Sequence, residues 1–132
     1  MKVKTAELSG VQLDYAVAVA LGVKDSIKLR PFTNCPAYPQ KYVWLDKGSS
    51  CFSPSSNWMA CGQLIETGLI SCYASINPED ETVYHWCAVK EVSDYRKRRG
   101  FTDSDPKVAI CRAVVASKLG DEVDIPDELM EV

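Results

Sequence analysis

The sequence is short of the residues on which metal binding and most catalysis depend. It holds a single histidine, His85, and no pair of cysteines spaced Cys-x-x-Cys. Structural zinc sites draw four ligands from such sets, so the donor supply argues against one. There is no Gly-x-x-x-x-Gly-Lys-Ser/Thr phosphate loop, no dinucleotide glycine fingerprint and no Gly-x-Ser-x-Gly elbow. Cys87 lies two residues from His85, but a cysteine nucleophile also needs a depressed thiol pKa, and a strand histidine reads first as structural. Long apolar runs are missing too. The longest, Tyr15 to Leu21, is too short to cross a bilayer. Positive charge is not in excess: the net charge is -3, which gives no general pull towards nucleic acid or anionic membrane. The stretch from Met1 to Glu7 carries an early acid and no apolar core of a signal peptide. The expectation is an intracellular chain whose six cysteines stay reduced and act as small hydrophobes.

What remains is the composition of an ordinary globular domain, 46% hydrophobic and 25% charged over 132 residues. A chain of that length buries roughly two-thirds of its unfolded surface without staples. One domain over 1–132 is expected, with an acidic tail from about 121 to 132 and no linker or repeat. Ser9-Gly10-Val11-Gln12 reads as a capping box opening a helix over Gly10–Leu21, closed by Gly22. That helix is apolar in nearly every direction, so it is buried or sits at an interface. Short β-rich runs follow at 27–30, 41–45, 51–52, 63–66, 70–76 and 82–89, separated by turn residues. Ser93 to Asp103 reads as a polar, basic loop. A second helix follows, with Ser104 or Asp105 as its cap, Pro106 at its first position and Gly120 as its stop. The fold class is therefore α+β: an antiparallel meander flanked by an N-terminal and a C-terminal helix packed on one face.

Two charges sit badly in this pattern. Asp14 falls among Val17, Ala18 and Leu21 of the first helix, and Arg112 among Val108, Val115, Ala116 and Leu119 of the second. Buried charges need partners. Three readings stay open: the two residues pair with each other, Arg112 reaches an anionic ligand, or both meet another subunit. The central block offers ligand chemistry of its own. Ser53, Ser55, Ser56 and Asn57 bring hydroxyls and an amide, Trp58 a ring face, Gly62 room for close backbone approach, and Gln63 and Glu66 groups that read a base edge. With Arg112 these nine make a candidate nucleotide-like site. The plain alternative is a Pro-Ser turn with Trp58 as a core anchor.

These residues also carry a resemblance. The opening Met1 to Gly10, Leu13 to Ala18, the block Phe52 to Trp58 through Gln63 to Glu66, and Cys111 to Val123 resemble the phage NinX family. The likeness spans nearly the whole chain. It departs at Cys61-Gly62, where the family usually has Gly-Gly, and at Tyr15, where it usually has Trp. It implies an accessory protein in the host cytoplasm and brings no catalytic residues, metal or cofactor. The functional expectation is a non-catalytic protein that binds and sequesters a small anionic nucleotide-like molecule, countering host defence signalling. The alternatives are a host-protein or self-association module working through the apolar first helix, and a nucleic-acid binder using Arg96 to Arg99. Four basic residues in an acidic chain favour the last one least.

Overall fold

The computed structural model describes residues 1–32, 36–37, 39–46 and 51–130. The chain is α+β. Strand β1 (Lys2–Lys4) leads into helix α1 (Gly10–Ala20) and the hairpin of β2 (Ile27–Pro31) and β3 (Lys41–Leu45). Helix α2 (Trp58–Gly68) follows, then β4 (Ile70–Ile76), β5 (Val83–Lys90) and β6 (Gly100–Asp103). Helix α3 (Pro106–Leu119) and β7 (Glu122–Asp124) complete the order. The antiparallel meander is β4-β5-β6. The other strands form two separate pairs, β2-β3 and β1-β7, the latter joining the two ends of the chain.

Helix α3 is the hub. It packs on β4, β5 and β6 through one side and meets α1 and α2 through others. Its residues Ala109 to Val115 are all buried. The helix forms because Asp105 caps it, its side chain accepting from the Lys107 N–H at 2.9 Å, with Pro106 in the first turn. Helix α1 makes its main contacts with α3 and β3. Leu13, Ala16, Val17 and Ala18 are fully buried there.

Several expectations need correction. The run 63–66 is not a strand but part of α2. Asn57 accepts from the Met59 N–H at 2.8 Å and caps it, and Cys61 and Leu64 point into the core. Residues 51–52 form no strand, although the Phe52 N–H donates to the Val43 carbonyl at 2.7 Å. The loop expected over 93–103 ends in β6, because Phe101 buries its ring against the core opposite Ala88. The capping box at Ser9 does not close. Gln12 instead donates to the Leu129 carbonyl at 3.2 Å, and Ser9 makes no side-chain cap. Gly10 begins α1 at φ 56° and Gly22 follows it at φ 80°, left-handed positions that glycine takes without strain. Of the loop expected between 33 and 40 and the turn between 46 and 50, positions 33–35, 38 and 47–50 lie outside the described residues, as do 131–132.

Candidate functional site

An open groove of about 1150 Å³ lies between the start of α1, the 53–56 turn and the β2-β3 hairpin. Gly10, Val11 and Asp14 of α1 line one side. Ser53, Ser55 and Ser56 line the next, and Phe32, Lys41 and Tyr42 lie across from them. Lys41 reaches Glu128 at 2.6 Å at the rim.

The floor is built from Asp14 and Ser55, both 5% exposed. The Ser55 N–H donates to Asp14 Oδ1 at 2.8 Å, and Ser55 Oγ donates to the Gly10 carbonyl at 3.3 Å. Pro54 is also buried, so the turn is pinned to α1 rather than lying loose on the surface. Burial pushes the Asp14 carboxyl up to about 6, against the opposing pull of the Ser55 hydrogen bonds. The groove therefore holds a carboxyl that titrates near neutrality beside a wall of hydroxyls.

The nine residues singled out from the sequence divide into three groups. Ser53, Ser55 and Ser56 line the groove. Asn57, Trp58, Gly62, Gln63 and Glu66 belong to α2 or its cap and do not line it. Asn57 is occupied in capping. Trp58 is 52% exposed, with the Lys107 ammonium 4.8 Å from its ring centre, so it is no core anchor. Gly62 has open space where a Cβ would go.

Arg112 is apart from both groups and is satisfied internally. Its Nε donates to the Leu8 carbonyl at 2.8 Å, and its Nη1 to the Thr102 carbonyl at 2.8 Å and to Asp103 Oδ1 at 3.3 Å. The Asp14–Arg112 pair is not formed. Asp14 is held by the Ser55 N–H, and Arg112 by the Leu8 and Thr102 carbonyls and Asp103.

Sequence reasoning missed Phe32, Lys41, Tyr42 and Glu128 as groove residues. Only the hairpin and the returning C-terminal segment bring them beside α1, and no local spacing encodes that.

The basic run 96–99 is largely neutralised. Arg96 pairs with Asp94, Arg98 with Glu91, and Arg99 with Asp121. Among the described residues no three of His, Cys, Asp or Glu gather as metal ligands, and no helix is long and apolar enough to cross a membrane. Cys61 Sγ donates to the Lys107 carbonyl at 3.8 Å, tying α2 to α3, and the neighbouring Cys61 thiol together with burial holds the Cys111 thiol far above its usual range.

These observations define a small α+β protein with a surface groove held by a buried acid and a serine-containing turn. The family model described as Bacteriophage P22, NinX matches residues 4–118. The chain belongs to the phage NinX family and is a phage accessory protein. None of the curated proteins matches it.

Proposed function

We propose that the chain binds a small nucleotide-like molecule in the groove floored by Asp14 and Ser55, and so withholds that molecule in the host cytoplasm. The observation carrying this reading is the Asp14–Ser55 contact. It fixes the serine turn, and with it three hydroxyls, beside the start of α1. Hydroxyls and helix-start amides suit phosphate oxygens, and the rim carries the Lys41–Glu128 ion pair, from which a phosphate would have to draw the ammonium. Phe32, 62% exposed, offers a ring on which a base can rest. The reading is non-catalytic. Among the described residues the groove lining contains one cysteine, Cys51, and no histidine to activate it.

Titration calorimetry against a panel of mono-, di- and cyclic nucleotides tests this. Heat is expected from at least one class. Ser56→Trp, which fills the groove from an exposed position, should abolish it. Trp58→Ala, outside the groove, should leave the affinity unchanged. If no nucleotide gives heat, and protein taken from infected cells releases no small molecule on denaturation, the reading is abandoned.

A further inference from the structure

Strand β4 lies at the edge of its sheet and pairs with β5 alone. An edge strand turns half of its backbone donors and acceptors outward. Native edges are usually blocked by lysine, proline or a bulge. Strand β4 has none of these. Ile70 to Ile76 carry no charge and no proline. The irregularity of the hairpin places its extra residue, Tyr84, in β5 instead. Large apolar groups are exposed along the same edge: Tyr73 and Ile76 at 50% and Leu69 at 62%.

The residue order of this strand is self-complementary. Ile70-Ser71-Cys72-Tyr73-Ala74-Ser75-Ile76 reads the same in both directions except for Cys72 and Ala74. Antiparallel pairing with a second copy about a two-fold axis at Tyr73 sets Ile70 against Ile76 and Ser71 against Ser75. It sets Cys72 against Ala74, and Tyr73 against its own copy. Because side chains alternate, one face of the joint carries only Ile, Cys and Ala, and the other only Ser and Tyr. Sliding the register by two residues would put Tyr73 against a serine and lose an isoleucine from each end.

The charges at the two ends of the strand also complement each other. At its start the Lys90 ammonium sits on the Gly68 carbonyl at 2.8 Å. Beyond its end the chain turns through Glu79-Asp80-Glu81. The same two-fold brings the acidic turn of each copy alongside Gly68 and Leu69 of the other, where that ammonium lies. We propose that β4 is a homodimerisation edge, through which two copies join their three-stranded sheets into one continuous sheet.

Sedimentation velocity over a dilution series of the intact chain is the first test, and a reversible monomer–dimer equilibrium is expected. Tyr73→Lys places two ammonium groups against each other at the axis and should weaken the dimer about 30-fold or more. Its fold is checked by circular dichroism. Hydrogen exchange gives a second readout: alternate amides of β4 should gain protection as concentration rises, while those of β6, at the opposite edge, should not. A wild-type chain that stays monomeric at millimolar concentration overturns the proposal. So does a dimer that tolerates Tyr73→Lys without added protection in β4. If Tyr73→Lys fails to fold, the exchange experiment decides.

Discussion

Replacing Arg112 by methionine tests whether this buried cation holds the fold together. Methionine keeps most of the apolar stem but removes every donor. The Leu8 carbonyl, inside the core, then has no partner where the guanidinium Nε now stands at 2.8 Å. A buried acceptor left unsatisfied costs about 1–3 kcal/mol. The Thr102 carbonyl loses its donor as well, but Thr102 is exposed and water replaces part of that bond. Asp103, with its side chain 28% exposed, loses a counter-charge that solvent already screens. The sum is about 3 kcal/mol, a large share of the 5–15 kcal/mol typical of a domain. With a urea m-value of about 1.5 kcal/mol/M, the unfolding midpoint should fall by about 2 M. Arg112→Lys should lose roughly half as much, because one ammonium cannot span both carbonyls. A midpoint shift for Arg112→Met below about 0.5 M would refute the reasoning. It would mean that the helix junction holds without the guanidinium and that Arg112 is free for other work.

Two further perturbations read other parts of the chain. The folded-state pKa of Asp14, about 6 against 3.8 for the free group, means that the native state binds this proton more tightly than the unfolded state. Its stabilising contribution is full below about pH 4 and is lost as the pH rises through 6. Asp14→Asn cannot titrate and can still accept from the Ser55 N–H, so its stability relative to wild type should improve by about 1.4 kcal/mol between pH 5 and pH 8 in paired urea titrations. An unchanged difference would mean that the carboxyl is not desolvated. At Gly100 an added Cβ would stand 2.8 Å from the Cys87 sulfur. Gly100→Ala should cost about 1–3 kcal/mol in thermal unfolding, and combining it with Cys87→Ala should recover part of that loss.

Where the sequence was legible, the reason was local. Asp105-Pro106 and Gly120 mark α3 by chemistry that acts within one turn, and the alternation of Ile70, Cys72, Ala74 and Ile76 marks β4 in the same way. Helix α2 was obscured by its own approach. Ser53 to Asn57 reads as a breaker, and Gln63-Leu64-Ile65-Glu66 taken alone is a short apolar pair between polar residues that does not distinguish strand from helix. The informative signal was the cap at Asn57 with Cys61 and Leu64 three apart, a spacing that matters only because α3 lies beneath. Strand β6 was hidden by the basic residues preceding it, since only the burial of Phe101 commits that segment to the sheet. The groove was half legible. Its serine turn is a local feature, whereas Phe32, Lys41, Tyr42 and Glu128 converge through tertiary contacts. Arg112 was flagged correctly as a charge needing partners. Their identity was out of reach, because two of the three are backbone carbonyls, which every residue possesses.

The central position of α3 sets the order in which this chain can become a protein during synthesis. Helix α1, helix α2 and the β4-β5 hairpin all rest on a helix that lies in the last quarter of the sequence. A ribosome releases them before the surface they need exists, with Leu13, Val17, Leu64 and Ile70 still facing water or a chaperone. Native docking waits for residues 106–119 and for β7, which returns to pair with β1 from the far end of the chain. The nascent segments therefore mature together only once α3 has emerged, and a message truncated before α3 yields segments without a core.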